Sequence, residues 1–322
     1  MKLFGVLLLL IAILFVVQHY LGKALIGQKK KYAIGIYEGE SPLDIAPASD
    51  IENPILTKFD VTDVKASFVA DPFIIKEQDS YYLFMEVKSK RARDIGEIAV
   101  AHGPGLDRLR YDRIVLREDF HLSFPHVFKW EGAFYMLPES GADRSLRLYR
   151  AKHFPYDWEL DRVLLQGKKF ADPALFRHDG LWWLFVSDEE QKSLEIYYSE
   201  ALHGPYTPHA GNPFYSGDKR RYRNAGNILR YEGRLLRFAQ DCSRYYGEKV
   251  DAYEITRLDP DHFEAQPVKT LLRPSGRGWN ARQMHQVDYL YAHGKWYAVV
   301  DGGSDEKENY YMIEKLLRRI LP

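Results

Sequence analysis

The stretch Phe68-Val69-Ala70-Asp71-Pro72-Phe73-Ile74-Ile75 returns about a hundred residues later as Phe170-Ala171-Asp172-Pro173-Ala174-Leu175-Phe176. Each copy is an apolar run typical of a strand and contains Ala-Asp-Pro. Each is followed by a short polar turn and an aromatic run, Tyr81-Tyr82-Leu83-Phe84 or Trp182-Trp183-Leu184-Phe185. A repeat of this length indicates an architecture built from repeated units.

The same unit can be followed through five copies. The position of Pro72 and the strand position ten residues later are occupied by the pairs Pro72/Tyr82, Pro125/Tyr135, Pro173/Trp183, Gly226/Leu236 and Val287/Tyr297. A residue followed by Gly separates the two strands in copies two to five, which is a strong hairpin signal. The spacing of about fifty residues suits one four-stranded blade. The sequence therefore predicts an all-β chain, a five-bladed β-propeller.

The remaining strands of each blade can also be assigned. We expect third strands at 98–101, 146–150, 194–198, 252–256 and 310–313, and outer strands at 113–117, 162–166 and 269–273. Copy four has a less distinct outer half, and copy five lacks an outer strand. Residues 32–37 can supply that strand and close the ring, which would protect the edges of the sheets.

Composition excludes several classes of protein. The formal net charge is +0, with 14% aromatic and 28% charged residues, which argues against a nucleic-acid partner. The single cysteine, Cys242, excludes a disulfide framework but leaves the compartment open. We find no Cys/His metal spacing, P-loop or G-x-G-x-x-G motif, and therefore predict no metal and no cofactor.

The N-terminus reads as a membrane segment. Residues 3–17 are apolar and continue to about residue 22, so we predict a signal anchor or transmembrane helix over 1–22, with a removed signal peptide as the alternative. A basic linker, 23–31, would lead into the propeller domain, 32–322. Residues 38–66 would lie on the propeller, and Ile313–Ile320 would form a short C-terminal helix. The protein is thus expected in a membrane, single-pass, on a side that the lysine distribution leaves open.

Polar residues recur at equivalent strand ends. Fourteen residues after each anchor the chain has Glu86, Glu139, Ser187, Gln240 and Asp301. The neighbouring starts of the first strands carry Asp71, His126, Asp172, Arg223, Asn224, His285 and Gln286. A propeller arranges its first strands around one axis, so these residues should converge on one rim. Carboxylates, amides and aromatic rings together suit a sugar.

Structural roles remain open for each of these residues. An Asp before Pro often caps a turn. Glu139 can be a solvated loop acid, residues 219–223 a solvated basic face, and His126 and His285 core histidines bonded to backbone.

These motifs resemble those of known families. The five copies with Ala-Asp-Pro resemble the arabinanase–levansucrase–invertase group of five-bladed glycosidases. Over residues 32–315 the chain is more similar to the N-terminal propeller domain of glucosamine inositolphosphorylceramide transferases. That similarity is carried by Ser123-Phe124-Pro125-His126-Val127-Phe128, Pro138-Glu139-Ser140, Arg223-Asn224-Ala225-Gly226-Asn227-Ile228 and the run from Ala239 to Gly247.

The glycosidase resemblance implies roles for individual residues. It makes Asp71 the catalytic base and Asp172 the auxiliary acid. The group's proton donor is a Glu on a later blade, where this chain has Arg223 and its neighbours. Since hydrolysis needs an acid and a carboxylate, Glu139 is the first candidate acid, and Glu86 and Asp241 are alternatives that the spacing does not decide between. The predicted substrate-binding residues are Glu86, His126, Arg223, Asn224, Gln240, Asp241, His285 and Asp301.

Three functions follow as alternatives. The first is an enzyme acting on a glycan or glycolipid. The second is a noncatalytic glycan-binding module that serves a separate glycosyltransferase, because the transferase domain of the resembling family has no counterpart in the chain. The third is a scaffold in envelope polysaccharide assembly.

Overall fold

The computed structural model describes residues 28–90 and 95–307, and most of them lie in β-strands. In chain order the strands are β1 (Gln28–Ser41), β2 (Asp44–Pro47), β3 (Ala66–Glu77), β4 (Ser80–Ser89), β5 (Gly96–Gly103), β6 (Arg110–Leu116), β7 (Ser123–Trp130), β8 (Ala133–Glu139), β9 (Ser145–His153), β10 (Asp157–Gln166), β11 (Phe170–His178), β12 (Leu181–Asp188), β13 (Ser193–Ser199), β14 (Thr207–Pro208), β15 (Arg223–Asn224), β16 (Leu229–Tyr231), β17 (Arg234–Asp241), β18 (Lys249–Asp259), β19 (His262–Leu272), β20 (Val287–Ala292) and β21 (Lys295–Lys307). Three short 3₁₀ helices are described as well, Leu106–Arg108, Gly141–Asp143 and Gly278–Asn280.

These strands form five antiparallel sheets, which confirms the predicted five-bladed propeller. Blades one to three are β3–β6, β7–β10 and β11–β14, each in chain order. In blade four, β15 and β16 share the partner β17, and β18 and β19 follow. Blade five has the order β20, β21, β1, β2, so the N-terminal part of the described chain completes the last blade.

The ring closes differently from the expectation in one respect. Residues 32–37 belong to β1, which pairs with β21 as the third strand of blade five and not as its outer strand. The outer strand is β2. The third strand predicted at 310–313 lies outside the described residues. The reason is that β1 is followed directly by its antiparallel partner β2, so the two strands together fill the third and outer positions of blade five.

The hairpins form where the sequence predicts them. Glycines 132, 180, 233 and 294 have φ of 76–82°, and the residue before each one also has a positive φ. Two successive left-handed residues make the tight turn that matches the twist of the two strands.

Among residues 28–90 and 95–307, the hydrophobic core forms five clusters, one between each pair of neighbouring blades. Between blades two and three, for example, Leu137 and Leu148 pack with Trp182 and Leu184. Trp183, on the opposite face of β12, packs with blade four. Each second strand thus supplies side chains to both neighbours, since alternate residues point to opposite faces. Fully burying each large apolar side chain contributes about 1.5–3 kcal/mol.

Residues 48–65 lie on the propeller, as predicted, whereas residues 38–47 of the predicted lead-in segment belong mostly to strands β1 and β2 of blade five. Ile51, Ile55 and Val61 pack against the cluster between blades five and one. Asp63 accepts hydrogen bonds from the Tyr111 hydroxyl at 2.5 Å and from the Ile114 N–H at 2.9 Å. This segment therefore covers the side of the propeller at the closing blade.

Within residues 28–90 and 95–307, no helix has the length and apolar character needed to span a membrane. The predicted anchor at residues 3–22 and the predicted helix Ile313–Ile320 lie outside the described residues. Strand β1 begins at Gln28, inside the segment 23–31 that was expected to be a linker.

Candidate functional site

The inner strands of three blades are distorted at the same position. Asp71, Phe124 and Asp172 have φ of 53°, 49° and 48°, and the pairing with the second strand is interrupted there. An Asp accepts this left-handed conformation more readily than a bulky residue does. Such bulges redirect a side chain out of the regular alternation, and here Asp71 and Asp172 come to line the same cavity.

That cavity, of about 230 Å³, lies at the end of the propeller where the first strands begin. Its walls come from every blade through first and second strands, the third strand of blade five and connecting loops. The lining residues are Tyr32, Phe68, Ala70, Asp71, Glu86, Lys88, His121, Ser123, Glu139, Asp172, Arg223, Tyr246 and His285.

Asp71 is held by groups from blades two and five. Its Oδ2 accepts the Phe124 N–H at 3.2 Å, and its own N–H donates to Asp301 Oδ2 at 3.1 Å. His285 Nδ1 lies 2.7 Å from Asp301 Oδ2 and 3.9 Å from Asp71 Oδ1. Burial disfavours the charged form of His285, but the charge and hydrogen bond of Asp301 together with the charge of Asp71 outweigh it and raise the pKa of the imidazole. The Asp71 carboxyl group therefore faces a histidine whose pKa is raised.

Asp172 is clamped by an arginine. Arg223 donates from Nε to Asp172 Oδ2 at 2.5 Å and from Nη2 to Oδ1 at 2.9 Å, a bidentate pair. The Asp172 N–H donates to Glu139 Oε2 at 3.3 Å, and Arg223 Nη2 is 3.9 Å from that oxygen. The Glu139 side chain is 18% exposed and that of Asp172 only 4%. Glu139 is thus the more accessible of the two acids.

The crowded acids hold protons unusually strongly. Burial raises the pKa of Asp71 to about 7, although His285 opposes the shift. Burial and the charge of Asp172 raise the pKa of Glu139 to about 8, although Arg223 opposes it. Burial also raises the pKa of Asp172 against the effect of Arg223. Near neutral pH the cavity therefore contains a protonated carboxyl group beside others that can ionise.

Three of the predicted binding residues, Asn224, Gln240 and Asp301, lie behind the cavity lining and hold the lining residues in position. Asn224 Nδ2 donates to the Asp172 carbonyl at 2.7 Å, and its Oδ1 accepts from Arg237 Nε at 2.9 Å. Gln240 Nε2 donates to the Asn224 carbonyl at 2.9 Å and lies 3.4 Å from Asp172 Oδ2. Asp301 is fully buried behind His285. These residues position the cavity lining and do not themselves line it.

The structure brings Asp71, Glu86, Glu139, Asp172, Arg223 and His285 together at the cavity, but not His126. His126 is buried with its ring centroid 5.5 Å from Phe73 and 5.3 Å from Phe128. Phe124 occupies the bulged position that Asp71 and Asp172 occupy in their blades. Blade two therefore contributes an apolar side chain at that position, and His126, two residues later, packs in the interior.

Asp241 also lies apart from the cavity. Its Oδ2 is 3.1 Å from Lys249 Nζ, and its Oδ1 accepts the Ser243 N–H at 2.8 Å. It anchors the loop of residues 242–248, whose Tyr246 reaches the cavity. There the Tyr246 ring lies 5.1 Å from the Arg223 guanidinium and edge-on to His285 at 5.2 Å.

Several lining residues were not predicted from the sequence. Lys88 could have been found, because it lies two residues after Glu86 on the same face of β4. Tyr32, His121 and Tyr246 come from the closing strand and from loops, where the repeat gives no position. Tyr246 does fall in one of the motifs that carry the family resemblance.

One group of lining and supporting residues can hold a metal ion. Asp71, His285 and Asp301 each offer a ligand atom, and these atoms lie within 4.8 Å of one another. The same atoms already form the hydrogen bonds and ion pair described above.

Comparison with known proteins identifies the family. The family described as "Glucosamine inositolphosphorylceramide transferase 1, N-terminal" matches residues 27–303. This chain belongs to that family. The glucosamine inositolphosphorylceramide transferase 1 of Oryza sativa subsp. japonica is 39% identical over 299 residues, covering 84% of this chain and 40% of that protein. The Arabidopsis thaliana protein of the same name is 34% identical, covering 84% and 39%. The chain thus spans about two fifths of these relatives.

Solved structures of glycosidases share the fold. The catalytic domain of the GH62 α-L-arabinofuranosidase of Coprinopsis cinerea has a TM-score of 0.57 at 11% identity, covering 84% of this chain and 97% of that chain. The exo-β-1,3-galactanase of Clostridium thermocellum has a TM-score of 0.55 at 13% identity, covering 74% and 59%. At these identities the likeness concerns the propeller fold alone.

Proposed function

We propose that this propeller binds a sugar of a glycan or glycolipid in its axial cavity and hydrolyses a glycosidic bond, with Asp71 as the base. The observation that carries the proposal is the gathering of Asp71, Glu86, Glu139 and Asp172 from three blades around one cavity. The aromatic rings of Tyr32, Phe68 and Tyr246 in the same wall suit the apolar face of a pyranose or furanose ring.

The proposed chemistry divides the roles among the acids. Glycoside hydrolysis needs one carboxylic acid to protonate the leaving oxygen and one carboxylate on the other side of the bond. Glu139, with a pKa of about 8 and the greater exposure, is the acid. Asp71, with a pKa of about 7 and the His285 imidazole 3.9 Å away, is the carboxylate that activates water. Asp172, held by Arg223, orients Glu139 through its backbone N–H and modulates its pKa.

A second function is favoured by one observation. The first strand of blade four begins with Arg223, which forms an ion pair with Asp172. The resembling glycosidases carry their proton-donating Glu in this part of the sequence. A cavity of this kind can bind a sugar without cleaving it. In this alternative the propeller is a noncatalytic module that presents a glycan or glycolipid to a separate glycosyltransferase, in keeping with the transferase name of its relatives. In both alternatives we propose that residues 3–22 anchor it to a membrane.

Two isosteric variants separate these functions. The first experiment measures binding and turnover of arabino-, xylo- and galacto-oligosaccharides by the wild type, Asp71→Asn and Glu139→Gln. The exposed residues Asp79 and Glu131 provide matched controls as Asp79→Asn and Glu131→Gln. A loss of about 10²–10⁴-fold in turnover in the site variants alone, with binding retained, supports hydrolysis. Binding without turnover by the wild type supports the second function, and the absence of binding contradicts both.

A further inference from the structure

One wall of the cavity contains buried polar atoms without a protein partner. Among the described residues, the Tyr32 hydroxyl and Glu86 Oε1 have no hydrogen-bond partner. Both side chains line the cavity, although each residue is only 5% exposed. Folded proteins rarely leave such groups unpaired, since burial removes their bonds to water. Two orphaned atoms at one wall therefore indicate that something outside the protein completes them.

The Tyr32 hydroxyl is held in place by the packing of its ring. The ring stacks on His285 with a centroid distance of 4.7 Å and an angle of 19°, and it meets Phe68 edge-on at 5.4 Å. A ring fixed on two sides cannot turn to find another acceptor. Its hydroxyl therefore has a fixed position in the wall.

His121 stands beside Glu86 with a defined tautomer. The Gly96 N–H donates to His121 Nδ1 at 2.8 Å, so the ring proton is on Nε2. Nε2 lies 3.7 Å from Glu86 Oε1, too far for a hydrogen bond. A Cβ on Gly96 would approach Glu86 Oε1 to 2.7 Å and His121 Cε1 to 2.6 Å. The same Cβ would lie 2.2 Å from the Leu122 carbonyl oxygen, so glycine allows the close approach of the backbone beside these two side chains.

We propose that Tyr32, Glu86 and His121 form a hydroxyl-binding subsite that selects the sugar ring by adjacent, uncharged hydroxyl groups. A sugar hydroxyl both donates and accepts, so it can satisfy the Tyr32 hydroxyl and bridge the gap between Glu86 and His121. The inference rests on the proposed function, because it assumes that the cavity takes a sugar. In this subsite the hydroxyl-bearing end of the sugar ring lies against blade one and the closing strand β1. The glycosidic bond to be cleaved then lies near Glu139.

The charge state of the subsite agrees with an uncharged ligand. Burial, and then the charge of Asp71, raise the pKa of Glu86 well above its usual value, although Lys88 opposes the shift. Burial lowers the pKa of His121 to about 4 and raises that of Tyr32. His121 and Tyr32 are therefore neutral near pH 7, and the raised pKa of Glu86 favours its neutral form as well.

A pair of tyrosines on the same strand provides the first test, which needs no ligand. Tyr32→Phe removes a hydroxyl with no partner, so the melting temperature should be unchanged or slightly higher. Tyr37→Phe, also in β1, removes a hydroxyl that accepts from Asn280 Nδ2 at 3.0 Å, and should lower the melting temperature by about 2–4 °C. An equal fall in both variants would show that the Tyr32 hydroxyl has a structural partner, and would overturn the inference.

The second test measures which hydroxyl groups are recognised. Methyl glycosides of arabinose, xylose and galactose, and their monodeoxy analogues, are titrated into the wild type, Tyr32→Phe and Tyr37→Phe. The wild type should bind one glycoside about tenfold more tightly than one of its deoxy analogues. Tyr32→Phe should lose that preference, whereas Tyr37→Phe should keep it.

The outcomes distinguish the subsite from the proposed function. A preference that Tyr32→Phe retains in full overturns the subsite alone. If no glycoside binds the wild type, both the proposed function and the subsite fail. Glu86→Gln should retain most of the affinity, because an amide replaces a protonated acid in shape and charge, while Glu86→Ala should lose it. Equal losses in these two variants would contradict a neutral Glu86.

Discussion

Replacing Arg223 by methionine tests how much the ion pair between Arg223 and Asp172 contributes to the stability of the fold. The change removes both hydrogen bonds to Asp172, at 2.5 and 2.9 Å, and the contact of Nη1 with Glu189 Oε1 at 3.4 Å. Methionine preserves an unbranched side chain at this position but carries no charge. Because the Arg223 side chain is only 10% exposed, water cannot replace these interactions. The variant therefore leaves a buried carboxylate without its cation.

The expected loss is large. Breaking a buried ion pair by removing one partner typically costs about 3–5 kcal/mol. The double variant Arg223→Met with Asp172→Leu should recover a large part of this loss, since neither charge then remains buried. Arg220→Met is the matched control, because Arg220 is 63% exposed and pairs with Asp218 at the surface. It should cost less than about 1 kcal/mol.

The loss should depend on pH in a defined direction. Burial already raises the pKa of Asp172, and removal of Arg223 raises it further. A carboxyl group with a raised pKa in the folded state stabilises the fold below its unfolded pKa and loses that contribution as the pH rises through the folded value. The variant should therefore be far less stable than the wild type at pH 8 and much closer to it at pH 4.

Denaturation with urea at pH 4, 6 and 8, followed by the fluorescence of the six tryptophans, measures this difference. A loss below about 1 kcal/mol at every pH would mean that solvent screens the pair. A double variant as unstable as the sum of its two single variants would mean that the two side chains do not interact. Either result would refute the electrostatic account of the site.

Three further predictions concern activity, topology and location. Turnover should rise as Asp71 ionises near pH 7 and fall as Glu139 deprotonates near pH 8, and a pH–rate profile without either limb would contradict the assigned roles. Gly226→Ala should destabilise the protein more than Gly180→Ala in thermal melts, because the new Cβ would lie 1.9 Å from the Val287 carbonyl oxygen, whereas the position at Gly180 is open. The full chain should remain with membranes after a high-salt wash and a version starting at residue 25 should not; recovery of the intact chain in the supernatant would contradict the anchor.

The sequence predicts the propeller well because each blade repeats the same hairpin. The spacing from anchor to second strand locates the strand ends, and from them Asp71, Glu86, Glu139 and Asp172 are placed at one cavity. This works because the repeat preserves both the register and the alternation of the strands.

The parts of the site and fold that the sequence did not predict depend on features outside the repeat. His126 was expected at the rim, but the bulge in blade two is at Phe124, and the following residues return to the interior. Tyr32 and His121 lie in the closing strand and in a loop, so no repeat position predicts them. The order of strands in blade five depends on β1 and β2 joining it as an antiparallel pair, which hydrophobic pattern alone does not specify.

Because strand β1 closes the propeller, the cavity is lined by residues from both ends of the described chain. Tyr32 lies in β1, and its stacking partner His285 lies about 250 residues later, immediately before β20. Contacts between residues so far apart in sequence form late in folding, because closing a long loop is entropically unfavourable. A nascent chain would thus have no complete cavity until its last blade has been synthesised. A ligand that contacts Tyr32 and His285 together would hold the two ends of the chain in the closed propeller. Its binding would therefore be measurable as slower proteolysis at the ends of the propeller.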